Sequence, residues 1–529
     1  MLGPWGDRFR QRVPRGAGMT LAITLSVAVG ASGAFAGYRH EQDSASACTR
    51  QAAGTSVVSG SPAAIAAGVA QALFGCAPSV VVANANLPAD VAAAVPLAEQ
   101  AHAPLLLSPL AVGAASTASY RSGAPGTGQA RLTASLGTLA LREIGDLRPR
   151  SVLAVGLTTA ELSAAMPGAH VTTNPSGLPG MSQPRPLSRV VVLVPAGRSA
   201  SALAATATAE AAGATVVPVS GYDPRSDPAA IRAISAIEPR QVIAAGSGFG
   251  PASRLVARLA VARTGVQLPG GGQLVVPMHR LVALYGQPGE PVLGALGQQG
   301  LRASIVRAKQ VAAHYAALSA TPVVPAFEII ASVATAAAGP DGSYSAETPV
   351  ASLRPWVEAA TRAGMYVILD LQPGRANFLA QAKVYQPLLE LPNVGLALDP
   401  EWKLHPGQLP LRQIGSVSIT EVNGVIAWLA QLTAEHHLPQ KLLELHQFQI
   451  GEIQNEQLLD TRSDDLAVVI NMDGQGTPAV KQQTWDAVTA AAPPGVNFGW
   501  KNFYVKDTPM LSPSQTMTKT PYPVVISYQ

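Results

Sequence analysis

The feature that most constrains the fold is a series of eight strand-like apolar runs in the C-terminal half, each ending in polar residues. Helix-length segments separate the runs, as in 352–363 and 420–436. Eight strands in about 250 residues is the count of a (β/α)8 barrel. We therefore predict a TIM-like barrel over residues 278–529; an open doubly wound sheet is the alternative, because connectivity alone does not show closure. The predicted strands are 280–286, 323–330, 365–371, 394–399, 441–447, 466–472, 496–500 and 523–528.

The N-terminal half has a different composition and predicts a different α/β arrangement. All eight lysines lie at Lys309 or later, and five of six tryptophans lie at Trp356 or later. Before that point, continuous Val/Ile/Leu runs alternate with helix-length segments, which is typical of parallel strands covered on both faces. We predict a doubled α/β module over residues 75–270. Its predicted strands are 80–83, 104–107, 151–156, 189–194, 215–219 and 241–245, and its helices 89–101, near 129–145, 199–212, 228–237 and 251–264.

The first 36 residues predict export. An Arg-rich start is followed by an apolar stretch at 19–36 that ends in the small-residue pattern AFA, as in a secretory signal. The stretch is long for a signal and short for a membrane span, so an uncleaved anchor is the alternative. Residues 37–74 are assigned to a linker or extension. The expected location is extracellular or in the cell envelope.

Two cysteines, Cys48 and Cys76, follow the leader. In an oxidising compartment they predict a disulfide worth roughly 3–4 kcal/mol. Two unrelated buried thiols are the alternative. No thiol signature paired with a histidine surrounds them, so neither interpretation makes them catalytic.

The charge of the chain excludes nucleic acid as a partner. The formal net charge is +4, and four arginines against Asp7 place +3 of it in the leader. The near-neutral remainder lacks the basic surface that nucleic acid requires. A membrane is expected as a partner only through the N-terminal segment.

One stretch of the N-terminal half resembles the cell-wall-binding repeat 2 family. The stretch is VVVANANLPADVAAAVPLAEQAHAPLLLSP at 80–109, and RSVLAVG at 150–156 resembles the closing strand of the repeat. The second unit, 189–250, matches only in layout. The resemblance implies non-covalent attachment to anionic wall polymers, so the predicted partner is a wall or envelope polysaccharide.

The barrel prediction places polar side chains at the carboxyl ends of the strands, where such barrels carry their sites. Burying unpaired carboxylates there costs several kcal/mol, so we interpret them as functional; a rim salt bridge, for example between Asp370 and Arg375, is the alternative. The candidate catalytic residues are Glu401, Asp399, Asp370 and Asp473. The candidate substrate-binding residues are Trp402, Trp500, Tyr285, Gln287, Gln372, Arg375, Glu328, His446 and Lys501.

The segment VGLALDPEW at 394–402 resembles the fourth-strand signature of glycoside hydrolase family 18, D-G-x-D-x-D-x-E. Gly395, Asp399 and Glu401 match, whereas Val394 and Ala397 replace two aspartates. The resemblance implies that Glu401 protonates the leaving oxygen and that Asp399 orients an acetamido group. The replacements put an N-acetylated substrate in doubt.

Three hypotheses follow. The first is an exported glycoside hydrolase in which Glu401 acts as general acid, with Asp370 or Asp473 as the second carboxylate of a pair whose separation determines retention or inversion. The second is a wall-binding protein with an inactive barrel, and the third is a solute-binding protein that uses the α/β half. Trp402 and Trp500 would stack on sugars, or pack in the core. No cofactor and no metal site are predicted, since His436 and His437 are adjacent and do not share a helix face.

Overall fold

The computed structural model describes residues 48–108, 138–179 and 183–529. The predicted leader, the first part of the extension and part of the helix predicted near 129–145 lie outside these residues. Within the described ranges, no helix has both the length and the apolar character needed to span a membrane.

The N-terminal half contains two four-stranded parallel sheets, in the orders β3-β2-β4-β5 and β1-β8-β6-β7. Each sheet is covered by small-residue helices, and the two share a core that joins Val80 and Val82 of one to Val192 and Ile243 of the other. The strands are β1 Gly54–Val58, β2 Ser79–Asn84, β3 Leu105–Ser108, β4 Ser151–Val155, β5 His170–Thr172, β6 Val190–Pro195, β7 Thr215–Val219 and β8 Gln241–Ala245.

Strand β1 and the first helix lie within the segment that the sequence assigns to an extension. β1 pairs in parallel with β8, from Gly54 opposite Gln241 to Val58 opposite Ala245. The second sheet therefore takes its edge strand from residues that precede the first sheet. The helices of this half are α1 Pro62–Leu73, α2 Pro88–Ala101, α3 Thr138–Leu147, α4 Thr159–Ala165, α5 Ala200–Ala211, α6 Pro228–Ile237 and α7 Ala252–Arg263.

Cys48 and Cys76 form a disulfide, as predicted, with their Cα atoms 4.7 Å apart. This separation lies within the usual range of about 4.4–6.8 Å. The bond ties the start of the described chain to the residues that follow α1, beside the backbone hydrogen bond from Gly75 N to Cys48 O.

The C-terminal half is a closed eight-stranded parallel barrel, which confirms the predicted fold class. Closure is direct, because β9 pairs in parallel with both β10 and β19. The short β11 adds an antiparallel edge to β10. The strands are β9 Arg280–Gly286, β10 Val323–Ala334, β11 Ser345–Glu347, β12 Tyr366–Leu371, β13 Val394–Leu398, β14 Val417–Ser418, β15 Lys441–Gln447, β16 Ile453–Gln454, β17 Leu466–Met472, β18 Asn497–Asn502 and β19 Pro523–Tyr528.

The barrel interior is apolar near the amino-terminal ends of the strands and polar near their carboxyl ends. These regions are called the lower and the upper interior. Successive residues of a strand point to opposite faces, and Leu281, Val324, Ile368 and Val469 fill the lower interior. The outer face packs on the surrounding helices. These are α8 Leu301–Ala316, α9 Val350–Arg362, α10 Phe378–Val384, α11 Gln386–Leu389, α12 Ile419–Glu435, α13 Pro478–Ala491 and α14 Pro513–Thr516.

The α/β half contacts the barrel at the amino-terminal ends of its strands. Gln440, directly before β15, donates its backbone N–H to Gln273 O and accepts at Oε1 from Val275 N. Arg258 of α7 lies 3.0 Å from Asp464, two residues before β17. The carboxyl ends of the strands, where polar residues gather, lie at the opposite end of the barrel.

Candidate active site

Ten polar side chains share the inward-facing positions at the carboxyl ends of the barrel strands. Nine of them lie two or four residues beyond an apolar interior residue of the same strand, and Lys501 lies two residues beyond Gly499. Strand alternation therefore brings all ten to one end of the barrel. All but Asp399 and Asp473, which come directly after their strands, are strand residues, and all ten are buried. They are Tyr285, Glu328, Asp370, Asp399, Glu444, His446, Asn471, Asp473, Lys501 and Ser527.

The inner group is centred on His446. Its Nε2 lies 2.8 Å from Glu328 Oε1 and 3.8 Å from Asp370 Oδ1, and its Nδ1 lies 3.5 Å from Asp473 Oδ2. The Tyr285 hydroxyl donates to Asp370 Oδ2 at 2.8 Å. The structure therefore brings together five residues that the sequence proposed separately.

The outer group consists of Asp399, Glu401 and Asp473, each of which places one carboxylate oxygen within 4.8 Å of the others. Asp399 is 2% and Asp473 is 7% exposed, whereas Glu401 is half-buried. Of the two partners that the sequence offered for Glu401, Asp473 is the one beside it, and Asp370 belongs to the inner group.

Burial and like charge set the protonation of the outer group. Burial, with Asp473 as the next cause, raises the pKa of Glu401 to about 7. Burial and the neighbouring Glu401 raise the pKa of Asp399 well above its ordinary value. Burial also favours the neutral form of Asp473, but contact with His446 and the charge of Lys501 outweigh it and lower the pKa of this carboxyl. A proton donor and an ionised carboxylate can thus stand side by side near neutral pH.

The inner group contains more carboxylates than cations. Burial raises the pKa of Asp370 to about 6, with His446 opposing the shift, and burial with Glu328 raises the pKa of Glu444 to about 8. Burial and Lys501 lower the pKa of His446, but Asp473 and Glu328 outweigh them and raise it well above the ordinary value. The same carboxylates raise the pKa of Lys501 despite its burial.

A cleft of about 320 Å³ opens beside Glu401. Trp402 lines it together with the loop that follows β13, which exposes Leu411 and Ile414 to solvent. Glu401 therefore lies between the cleft and the buried carboxylates, because it lines the cleft and has a carboxylate oxygen within 4.8 Å of Asp399 and Asp473.

Other predicted site residues have different surroundings. Trp500 is fully buried and packs on Trp485 with ring centroids 5.5 Å apart, which favours the core-packing alternative. Arg375 is exposed, donates to Gln408 O and does not pair with Asp370. Gln287 donates to Thr348 Oγ1 at 3.0 Å.

Two predicted residues contact the Tyr285 ring and hydroxyl. Gln372 donates to the Tyr285 hydroxyl at 3.3 Å. Lys501 Nζ lies 3.5 Å from the centroid of the Tyr285 ring. Both therefore belong to the inner group.

Sequence reasoning missed Glu444, Asn471 and Glu452. Asn471 donates to Glu444 Oε1, and Glu452 is a buried carboxyl whose pKa burial, Asp473 and Glu401 raise to about 9. Glu444 and Asn471 lie inside apolar strands, each two residues before a predicted site residue and on the same face. A polar residue at that spacing is the signal that would have found them.

No protein-family model matches the chain, and comparison with curated proteins finds no match. The resemblances to wall-binding repeats and to the family 18 signature therefore stay predictions.

Proposed function

We propose that this protein is an exported glycoside hydrolase of the cell envelope, with Glu401 as general acid and Asp473 as the second carboxylate. The observation that carries the proposal is the placement of Glu401: it is half-buried at the cleft and has a carboxylate oxygen within 4.8 Å of one from Asp473.

The chemistry needs one carboxyl that holds a proton and one that does not. A general acid works best when its pKa lies near the working pH, and the pKa of Glu401 is raised to about 7. In the proposed reaction Glu401 protonates the glycosidic oxygen, which leaves with the bonding electrons, while Asp473 attacks the anomeric carbon. Water, deprotonated by Glu401, then releases the sugar from Asp473.

The cleft suits a sugar chain. Trp402 lines the cleft next to the proposed acid, and aromatic side chains are common in the lining of ligand sites. The α/β half would hold the protein on wall or envelope polysaccharide, as its resemblance implies. The disulfide supports an oxidising location.

The test is release of reducing ends from purified envelope glycans by the full chain. We expect release by the wild type and a loss of about 10²–10⁴-fold in Glu401→Gln, the usual contribution of a general acid. Glu435→Gln, which changes an exposed carboxylate at the end of α12, is the matched control and should keep the wild-type rate. Equal rates in Glu401→Gln and wild type would assign the acid elsewhere.

One observation favours a second candidate, a wall-binding protein without turnover. Asp399 and Asp473 are almost inaccessible beneath Glu401, and a sugar carbon has to reach a carboxylate for the proposed attack. Absence of release, combined with sedimentation of the protein with cell walls, would support this candidate against the hydrolase.

A further inference from the structure

We propose that Glu328, Asp370, Glu444 and His446 bind one divalent first-row transition-metal ion inside the barrel, beneath Glu401 and Asp473. The site goes beyond the proposed function, since neither the proposed acid nor the proposed nucleophile is a ligand. The four residues come from three strands, β10, β12 and β15.

Three of the four proposed ligands form a tight cluster, and Asp370 lies beside it. One donor atom each from Glu328, Glu444 and His446 lies within 4.8 Å of the others. His446 Nε2 is also 3.8 Å from Asp370 Oδ1. Ligands held at about 2.0–2.2 Å from an ion stand at most about 4.4 Å apart, so side-chain adjustments of a few tenths of an ångström would bring the cluster to ligand spacing.

The same atoms lack hydrogen-bond partners among the described residues. They are both oxygens of Glu328, Oδ1 of Asp370, Oε2 of Glu444 and Nε2 of His446, and each of the four residues is at most 1% exposed. Buried carboxylates are normally paired or bound to metals, because an unpaired buried charge is costly. Oε1 of Glu328 and Nε2 of His446 face each other at 2.8 Å, whereas Oε2 of Glu328, Oδ1 of Asp370 and Oε2 of Glu444 have no hydrogen-bond partner in the part of the chain that the structure describes. These three buried carboxylate oxygens point to a ligand between them.

In Asp370, Glu444 and His446, the second oxygen or nitrogen of the side chain contacts a neighbouring polar group. Tyr285 donates to the other oxygen of Asp370, Asn471 donates to the other oxygen of Glu444, and Asp473 lies 3.5 Å from Nδ1 of His446. Metal-binding proteins orient their ligands in this way, most often with a carboxylate behind the histidine. Asp370 and Glu444 are each left with one oxygen that has no hydrogen-bond partner within the described ranges, and His446 presents Nε2 to Glu328.

The donor set and the charge indicate the class of ion. Three carboxylates and a neutral imidazole around a divalent ion carry a net charge of −1, which Lys501 can balance from above the Tyr285 ring. Imidazole with carboxylates suits Zn²⁺ or Mn²⁺, whereas Ca²⁺ and Mg²⁺ favour all-oxygen sites. The competing arrangement is a protonated His446 paired with Glu328, which would exclude an ion.

Equilibrium dialysis of the full chain against Zn²⁺ or Mn²⁺, followed by elemental analysis, tests the site. We expect one ion per chain in the wild type and an affinity lowered by more than about 100-fold in Glu328→Gln and Glu444→Gln. Asp473→Asn, which changes the group behind His446, should lower it by about 10–100-fold. Glu452→Gln removes another buried carboxyl and is the matched control with unchanged affinity.

Circular dichroism verifies that each variant is folded. If the ligand variants do not fold, the wild type still decides: Zn²⁺ or Mn²⁺ should raise its thermal unfolding temperature, and Ca²⁺ or Mg²⁺ should not. A wild type that binds neither Zn²⁺ nor Mn²⁺ stoichiometrically, or ligand variants that bind as tightly as Glu452→Gln, would overturn the proposal. These readouts are independent of glycan cleavage.

Discussion

At the scale of single residues, the upper barrel interior concentrates acidic groups around two basic side chains. His446 and Lys501 each face several carboxylates, and these contacts raise the pKa of both. Burial opposes these two groups at several carboxyls: it raises the pKa of Glu444 to about 8 and that of Glu401 to about 7, so both can hold a proton near neutral pH. The balance between burial and neighbouring charge therefore determines which of these carboxyls hold a proton.

Lys441 is a buried lysine at the other end of the barrel. It is 0% exposed, its Nζ donates to Leu391 O and Val394 O, and burial lowers its pKa from 10.5 to about 7. The unfolded chain therefore binds more protons than the folded chain between pH 7 and 10.5. The free energy of unfolding contributed by Lys441 should rise with pH in this window, by an amount on the order of a few kcal/mol.

Urea unfolding at several pH values measures this contribution. The difference between wild type and Lys441→Met should grow in favour of the wild type from pH 7 to 10. Lys506→Met, at an exposed lysine, should show no such trend. A constant difference between wild type and Lys441→Met would contradict the account.

Site residues could be predicted from their position at strand ends. The prediction failed for residues whose role depends on whether the side chain points into the barrel or outward. Glu328, Asp370 and His446 could be proposed because polar residues close apolar runs. Trp500 has the same sequence position, but its ring packs into a core with Trp485. The pattern of one strand does not distinguish a site residue from a core residue, because the difference depends on which helix packs against the strand.

At the scale of elements, the separation of strands β13 and β17 determines how Glu401 and Asp473 would act. One strand, β15, lies between them, and an oxygen of each carboxylate lies within 4.8 Å of the other. Inverting glycosidases need about 6.5–9.5 Å between carboxyls, and retaining ones about 5–5.5 Å. We expect products that retain the anomeric configuration, observed by NMR early in the reaction; initial products of inverted configuration would contradict the assignment of Asp473.

A buried ion pair joins α13 to the loop after β18. Lys481 Nζ lies 2.5 Å from Asp507 Oδ2 and donates to Lys501 O, and Asp507 also accepts from Phe503 N. Asp507→Ala would leave Lys481 charged and buried without its partner. We expect a loss of about 3–5 kcal/mol in unfolding free energy.

Chemical unfolding of Asp507→Ala beside Asp486→Ala tests this pair. Asp486 is an exposed carboxylate on α13, and its removal should change stability by no more than about 0.5 kcal/mol. Similar losses in the two variants would show that the ion pair does not stabilise this part of the barrel.

The sequence predicted most elements because parallel strands are continuous apolar runs. The residues of β9, β15, β17 and β19 match the predicted runs at both ends. It missed β1 and α1, since the first is short and half exposed and the second is rich in alanine without a polar face. β1 pairs with β8, which is far away in the sequence, and such a pairing leaves no signal in the local sequence.

At the scale of the whole molecule, the α/β half and the candidate site lie at opposite ends of the barrel. Arg258 of α7 bridges Asp223 and Asp464 at 3.2 and 3.0 Å, close to the start of β17. Arg258→Ala should lower the unfolding free energy by about 1–3 kcal/mol, because two partly buried carboxylates lose a donor. The rate of glycan release should be unchanged.

Thermal unfolding and release assays on the same Arg258→Ala preparation check both expectations. A lower rate at equal folded fraction would show that the junction between the halves influences the site. An unchanged unfolding temperature would show that the contact contributes nothing to holding the halves together.

The central claim is that Glu401 delivers the proton, and the pH dependence of kcat/KM for glycan release tests it most directly. Since the protonated form is the active one and its pKa is about 7, the wild-type value should fall about tenfold per pH unit above neutrality. Glu401→Gln should be slow and lack this decline. A wild-type kcat/KM that stays constant through alkaline pH, or the same decline in Glu401→Gln, would contradict the account.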